Sequence, residues 1–146
     1  MSLEIRLATH ADKPAWLSMR QALWPDEPGV ADELDTLLQR DNFQIWLAFD
    51  GATAVGFAEA SIRPFANGCE SQPVPFLEGI WVAEGHRQRG IGRALVATVE
   101  AWAKGQGFHE LGSDTWLDDR RSQQVHGRWG FEETERVVYF RKKLGA

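Results

Sequence analysis

The apolar and polar positions at the start of the chain predict one strand followed by two helices. Residues 4–8 alternate weakly, as expected for a half-buried strand. Asp12 is a good N-cap for a helix that ends near Leu23, because Trp24-Pro25 interrupts the helical pattern there. Leucines at helical spacing then predict a second amphipathic helix over residues 31–40.

Three strand-like runs follow and predict an antiparallel meander. Residues 44–49 and 54–62 flank Asp50-Gly51, a dipeptide typical of tight hairpins. Residues 63–73 are polar and contain several turn residues, so we interpret them as a loop. The apolar run over residues 76–82 predicts the next strand.

The rest of the pattern alternates between helix and strand. A helix begins near Ile91, with apolar side chains along one face. We expect a short strand over residues 110–114, a helix over 121–129 and a terminal strand or hairpin over 133–142. The resulting order, β-α-α-β-β-β-α-β-α-β, predicts one mixed α/β domain over residues 1–146.

Composition fits such a domain and narrows the range of partners. The chain has 146 residues, of which 43% are hydrophobic and 25% charged, as in ordinary globular domains. It shows neither a signal-peptide pattern nor an apolar run of the roughly 20 residues that span a bilayer. We therefore expect a soluble, cytoplasmic protein without a membrane partner.

Charge and cysteine content exclude two further kinds of ligand. The net charge of −5 argues against nucleic-acid binding and suits cationic ligands better. Cys69 is the single cysteine and has no cluster of metal-binding residues beside it, so we expect no metal.

A basic, glycine-containing turn joins the strand over residues 76–82 to the helix that follows. It consists of Arg87, Gln88, Arg89, Gly90, Ile91, Gly92 and Arg93. The glycines allow a bulky anion to approach the backbone N–H groups, and the arginines add positive charge. An ordinary basic loop would contain the same residue types. The position between an apolar strand and an amphipathic helix favours an anion site, although neither the P-loop nor the dinucleotide pattern fits.

The turn resembles the pyrophosphate loop of the GNAT acetyltransferase superfamily, whose pattern is Gln/Arg-x-x-Gly-x-Gly/Ala. Gly130-Phe131 is similar to a Gly-Phe pair near the end of GNAT domains. The element order resembles the GNAT fold, a mixed, mostly antiparallel sheet that is splayed between its fourth and fifth strands and flanked by helices. The resemblance implies acetyl-CoA as co-substrate. Its pantetheine arm would bind Ile80, Trp81 and Val82, and its pyrophosphate residues 87–93.

Segments outside the turn resemble one subgroup, the chromosomal, dimer-forming aminoglycoside 6′-N-acetyltransferases. These segments are Trp24-Pro25 and residues 61–63, 67–69, 76–80, 113–115 and 130–136. The resemblance implies a homodimer that acetylates the 6′-amino group of aminoglycosides and confers resistance to them. It also implies drug contacts from Trp24, Phe65, Glu78, Asp114 and Glu135.

Carboxylates and aromatic rings at these positions suit a polycationic sugar. Glu78 interrupts an apolar strand, where a charge is costly unless it is paired or functional. Gly79 beside it could mark a bulge that turns Glu78 towards the cleft. Plainer alternatives are packing for Trp24 and Phe65, an outward position for Glu78, a helix N-cap for Asp114 and a solvated strand face for Glu135.

The simplest mechanism is direct attack of the acceptor amine on the thioester. Glu78 or Asp114 would accept the proton of the ammonium group, directly or through water, and the Val82 N–H would stabilise the oxyanion. His126 stands where the family often has a tyrosine that protonates the leaving thiolate, or it hydrogen-bonds within its helix. Asp119 matches a family asparagine that contacts the pantetheine arm.

Two other functions stay open. One is a GNAT enzyme for another amine, such as a polyamine or a peptide, and the other is a non-catalytic acyl-CoA sensor. Both would keep the basic turn, so the turn predicts the donor and leaves the acceptor undecided.

Overall fold

A computed structural model describes residues 2–145 and contains one five-stranded sheet with flanking helices. The strands are β1 Leu3–Leu7, β2 Phe43–Asp50, β3 Thr53–Arg63, β4 Val74–Val82 and β5 Gly112–Ser113. The α-helices are α1 Lys13–Leu23, α2 Leu34–Gln39, α3 Ile91–Gly105 and α4 Arg120–Arg128. None of the described helices has the length and apolar character needed to cross a bilayer. The contacts divide the chain into two compact units, residues 2–114 and 115–145.

The sheet follows chain order, β1-β2-β3-β4-β5, with antiparallel pairs up to β4 and a parallel pair between β4 and β5. Asp50 pairs with Thr53, so the hairpin between β2 and β3 closes with a two-residue turn. Gly51 begins this turn at a φ of 61°, a conformation that favours glycine. The predicted hairpin and the predicted mixed, mostly antiparallel sheet are both confirmed.

One face of the sheet packs against α1 and α2. Alternate residues of β2 and β3, among them Leu47 and Phe57, form a buried cluster with Trp16 and Leu37 of these helices. Because side chains alternate along a strand, the same face continues through Glu59 and the residues beyond it in β3. The candidate site lies on this face.

The other face packs against α3. A Cβ at Gly56 would lie 3.4 Å from Leu95 and 3.5 Å from Ile91, and Trp46 meets Trp102 edge to face. Burial of the apolar stripe of α3 against the strands fixes the N-terminus of this helix near the end of β4. The amphipathic helix predicted near Ile91 is confirmed.

The terminal strand or hairpin predicted over residues 133–142 is wrong. These residues are exposed and lie in no strand of the described chain. A strand needs a neighbour for its N–H and C=O groups, and the β-branched and aromatic residues of this segment specify only a local propensity. The helix predicted over residues 31–40 and the strand predicted over 110–114 are real but shorter.

Asp12 precedes α1 as predicted, but its side chain does not cap that helix. The carboxylate accepts hydrogen bonds from Thr9 N at 2.8 Å and from Arg6 at 2.7 and 3.0 Å. The Arg6 hydrogen bond, helped by Thr9, lowers the pKa of Asp12 to about 2. Asp12 therefore joins the end of β1 to the start of α1.

Candidate active site

Strand β4 contains a bulge at Glu78. Glu59 of β3 pairs with Gly79, while the next β3 residue, Ala60, pairs with Leu77. Glu78 is thus the extra residue of the ladder, and it lies with Gly79 across from Glu59, on the same face of the sheet as Glu59, Ser61 and Arg63. The bulge predicted beside Gly79 is confirmed.

The carboxylate of Glu78 is held by side chains of β3. Arg63 donates from Nε to Oε2 at 2.8 Å and from Nη2 to Oε1 at 2.6 Å, and Ser61 Oγ donates to Oε2 at 2.5 Å. The Glu78 side chain is 23% exposed, so it is neither fully buried nor the outward-facing residue of the plainer interpretation. This pairing was not predicted from the sequence, although Glu59, Ser61 and Arg63 alternate as polar residues along an otherwise apolar strand.

Trp24 ends α1 and covers the bulge. Its indole meets Phe57 edge to face at 6.2 Å, and the guanidinium of Arg20 lies 5.1 Å from its ring centroid. A Cβ at Gly79 would come within 2.5 Å of the Trp24 ring. Trp24 therefore packs against the core and also forms part of the wall beside Glu78, so the two interpretations of this residue are compatible.

A cavity of about 670 Å³ opens between α1, α2 and strands β3 and β4. Its volume lies within the range of roughly 300–1,000 Å³ that small-molecule sites occupy. The wall includes Trp24 and Glu78 together with Ser61 and Arg63. Five charged residues that were not predicted as site residues also line it: Arg20, Asp32, Glu33, Arg40 and Glu59.

A buried ion pair lies beneath this cavity. Glu59 is 1% exposed and accepts hydrogen bonds from Arg20 Nε at 2.7 Å and from Trp16 Nε1 at 2.8 Å. Burial raises the pKa of Glu59, and the hydrogen bond from Arg20 opposes that shift. Arg20 also donates to the Val30 carbonyl at 2.8 Å. The pair thereby joins α1, β3 and the segment before α2.

The far edge of β4 offers backbone groups to a ligand. Ala83 N donates to the Val55 carbonyl at 2.8 Å. Hydrogen-bonded pairs alternate along an antiparallel ladder, so the N–H and C=O groups of Trp81 also point to β3. Ile80 and Val82 alternate with these residues and direct their N–H and C=O groups away from β3. β5 pairs with β4 at two earlier positions only. An extended chain can therefore lie beside Ile80 and Val82, whereas the backbone of Trp81 faces β3.

The basic turn leads from this edge to α3. Arg87 donates from Nε to the Val82 carbonyl at 2.9 Å, and Gln88 adopts a φ of 63°. Gly90 is the N-cap of α3 at a φ of 83°, a left-handed conformation that disfavours side chains. The first hydrogen bond within the helix runs from Ala94 N to the Gly90 carbonyl at 3.0 Å.

The N–H groups of Ile91, Gly92 and Arg93 precede that bond, so they have no carbonyl acceptor within α3. They lie at the positive end of the helix dipole, and Arg89 and Arg93 are exposed beside them. The Ile91 side chain is buried in the core, so only its backbone N–H is directed to the turn. This donor set fits a pyrophosphate.

Two other predicted residues belong to the first unit but do not line the cavity. Phe65 is 64% exposed in the loop after β3, which contradicts packing within that loop. Asp114 follows β5 and is exposed, and no helix begins beside it. The N-cap role belongs to Asp119, whose carboxylate accepts from Ser122 N at 3.0 Å.

His126 and Glu135 belong to the second unit, residues 115–145. His126 Nδ1 lies 2.7 Å from the Ser122 carbonyl and donates to it, while the ring packs against Trp129 and Phe131. With the proton on Nδ1, the neutral ring has a lone pair on Nε2. Glu135 is exposed. Their participation in the site stays a prediction.

Comparison with known proteins identifies the family. Residues 12–131 match the model of the acetyltransferase (GNAT) family. The chain belongs to the GNAT acetyltransferases. The match runs through both compact units and includes the bulge at Glu78 and the basic turn, so the predicted family is confirmed.

Named GNAT relatives align along nearly the whole chain. The aminoglycoside N(6′)-acetyltransferase type 1 of Salmonella typhimurium is 45% identical over 138 residues, 92% of this chain and 94% of the relative. The protein of the same name from Stenotrophomonas maltophilia is 47% identical over 143 residues, 96% of this chain and 93% of the relative.

Solved structures agree with the fold. AAC(6′)-Iy in complex with the bisubstrate analogue CoA-S-monomethyl-acetylneamine superposes with a TM-score of 0.93 at 40% identity, covering 99% of this chain and 100% of that one. AAC(6′)-Ih from Acinetobacter baumannii superposes with a TM-score of 0.92 at 40% identity, with the same coverage. The predicted GNAT fold is therefore confirmed.

Proposed function

We propose that this GNAT enzyme transfers the acetyl group of acetyl-CoA to the 6′-amino group of aminoglycosides in a ternary complex, and thereby confers resistance. The observation that carries the proposal is that β4 would face both substrates, the donor along its outer edge and the acceptor at its bulge. Its outer edge offers backbone groups at Ile80 and Val82, and its bulge turns Glu78 into a cavity of about 670 Å³. The names of the aligned relatives favour an aminoglycoside over a polyamine or a peptide.

The donor side follows from the backbone. Ile80 and Val82 would hydrogen-bond the pantetheine arm in the manner of an added strand. Residues 87–93 would hold the pyrophosphate through the N–H groups at the start of α3 and the neighbouring arginines. Asp119 is engaged in capping α4, so its contact with the donor would use its second carboxylate oxygen or its backbone.

The acceptor side follows from charge and shape. Trp24 offers a flat ring and Glu78 a carboxylate to a sugar that carries ammonium groups. Phe65, Asp114 and Glu135 would complete the drug contacts. Because a polycation is strongly hydrated, its binding depends on charge-assisted hydrogen bonds that replace those it makes to water.

Acetyl transfer requires a neutral amine. Glu78 or Asp114 would take the proton of the ammonium group, directly or through water. The Val82 N–H points away from β3, to the edge where the thioester would lie, and would stabilise negative charge on its carbonyl oxygen. His126 or water would return a proton to the leaving thiolate. The Nδ1 hydrogen bond of His126 means that the ring must be doubly protonated to donate from Nε2.

We also propose that the enzyme is a homodimer. In the second unit, Val137, Val138, Tyr139 and Phe140 are exposed, Phe140 by 92%. Such a run of apolar side chains is typical of a surface covered by a partner. Light scattering should give twice the monomer mass of 16.4 kDa, and a monomer at micromolar concentration would refute this part. We place the enzyme in the cytoplasm, where acetyl-CoA is available, and fractionation of the producing cells tests this.

One pair of acceptors tests the proposal directly. Neomycin and paromomycin share their ring system, but neomycin has an amino group at 6′ where paromomycin has a hydroxyl. Release of free CoA should be rapid with neomycin and near background with paromomycin, spermidine and a peptide. Turnover of spermidine or the peptide alone would support the alternative acceptors, and binding of acetyl-CoA without turnover would support a sensor. Expression in a susceptible bacterium should raise the inhibitory concentration of neomycin only.

A further inference from the structure

We infer that Arg63 is a positioning residue for Glu78, whose carboxylate it holds at a fixed place in the cavity wall. This inference rests on the proposed function, because the place of Glu78 matters to catalysis only if Glu78 meets the acceptor amine. Neither the family match nor the names of the relatives assign a role to Arg63.

Glu78 needs such a support because of the bulge. As the extra residue of β4, it has no cross-strand partner in β3 to fix its side chain by packing. A glutamate has several rotatable bonds and loses much rotamer freedom when it is held in one geometry. Gly79 beside it contributes no side chain. The position of the carboxylate therefore depends on the groups that bind its oxygens.

Arg63 supplies this constraint from a rigid base. Its guanidinium binds both oxygens of Glu78 in a fork, at 2.8 and 2.6 Å, which fixes the plane of the carboxylate as well as its position. The guanidinium carbon lies 3.6 Å from the centroid of the Phe76 ring, which is itself buried. Ser61, two residues earlier on the same face of β3, adds a third hydrogen bond.

Arg63 could instead compete with the acceptor, and its removal would then have different kinetic effects. Its guanidinium is ion-paired with the carboxylate that a cationic acceptor would bind, so without a positioning role it would only weaken acceptor binding. Removal of a competitor lowers the KM of the acceptor and spares kcat. Removal of a positioning group lowers kcat, because a reacting group displaced by about 1 Å can cost about 100-fold in rate.

Three variants separate these roles. Arg63→Met keeps an apolar stem over Phe76 and removes the fork, Arg63→Lys keeps a single point charge, and Arg40→Met serves as the matched control. Arg40 lines the same cavity and also lies over a ring, 5.8 Å from the Phe43 centroid, but it is not bonded to Glu78. Both methionine variants remove one positive charge from the cavity. Any tighter binding of a cationic acceptor that follows from this loss of charge is therefore common to both variants.

We expect Arg63→Met to lower kcat at saturating neomycin by at least about 10-fold, with an unchanged KM for acetyl-CoA. Arg63→Lys should recover part of this loss in kcat. Arg40→Met should lower the acceptor KM and leave kcat unchanged. A fall in acceptor KM at wild-type kcat in Arg63→Met, or equal behaviour of the two methionine variants, would overturn the inference.

Crystal structures of the same variants supply a readout that does not depend on activity. We expect the Glu78 carboxylate to leave its place or become disordered in Arg63→Met and to stay in Arg40→Met. A carboxylate that stays in place without Arg63 refutes the inference. An inactive wild-type enzyme would refute the proposed function instead, so the two failures are distinguishable.

Discussion

The indole of Trp24 lies directly on the backbone of Gly79, so close that a Cβ there would approach the ring to 2.5 Å. This contact joins the end of α1 to the bulge of β4. Trp24 and Glu78 share the wall of the candidate cavity because position 79 has no side chain to separate them.

Gly79→Ala should therefore displace Trp24. Over-packing of this kind typically costs about 1–3 kcal/mol of unfolding free energy, and we expect the acceptor KM to rise while the KM for acetyl-CoA stays unchanged. Urea unfolding and steady-state kinetics measure the two effects. Gly105→Ala is the control, because a Cβ at Gly105 would meet nothing within 4 Å. Wild-type kinetics in Gly79→Ala would show that the position of Trp24 is unimportant for the acceptor.

The donor site can be tested through the start of α3. Gly90→Ala places a side chain at a φ of 83°, which costs about 1–2 kcal/mol and shifts the N–H groups of the turn. We expect the rise in melting temperature on adding CoA to shrink markedly. Gly107→Ala is a matched control, because Gly107 has a φ of 91° and equally open surroundings at the other end of α3. Equal CoA stabilisation in both variants would contradict a donor site at the turn.

Asp12 gives the fold a defined pH dependence. Folding lowers the pKa of Asp12 to about 2 from its ordinary value of 3.8. The ionised carboxylate therefore stabilises the folded state at pH values above the pKa of the unfolded chain. This stabilisation is lost as the pH falls through the pKa of the folded chain. Asp12→Asn should cost about 1–2 kcal/mol at pH 7. The difference from wild type should shrink between about pH 5 and pH 2.

Urea midpoints at several pH values measure this dependence. Asp35→Asn is the control, because the exposed ion pair of Asp35 with Lys13 should contribute little at any pH. A stability difference for Asp12→Asn that stays constant with pH would show that the Arg6 contact is not its cause.

The buried pair beneath the cavity should dominate the stability of the first unit. Glu59→Ala leaves the buried guanidinium of Arg20 without its main counter-charge, which typically costs about 3–5 kcal/mol. Glu59→Gln, which keeps the shape and an acceptor for Trp16, should cost less. Glu133→Ala, in the exposed pair with Arg136, should have no measurable effect. Similar urea midpoints for Glu59→Ala and Glu133→Ala would contradict this assignment.

Local features were predictable wherever their cause is local. The hairpin at Gly51 and the turn that leads into α3 near Ile91 depend on backbone conformations that glycine adopts readily, so the sequence indicated both. The bulge at Glu78 was also predictable, because a charge beside a glycine interrupts an otherwise apolar strand. The prediction of a terminal strand or hairpin over residues 133–142 was wrong, since the local pattern specifies a propensity but supplies no neighbouring strand.

By itself, the sequence determined the GNAT family, the basic turn before α3 and the presence of a carboxylate in β4, because each depends on residues close together in the chain. Only the tertiary structure decided which charges meet. Arg63 reaches Glu78 because the register of β3 and β4 brings them together, and Arg20 reaches Glu59 because α1 packs across β3. Such pairs join distant segments, and their geometry depends on the packing of the whole unit rather than on local pattern.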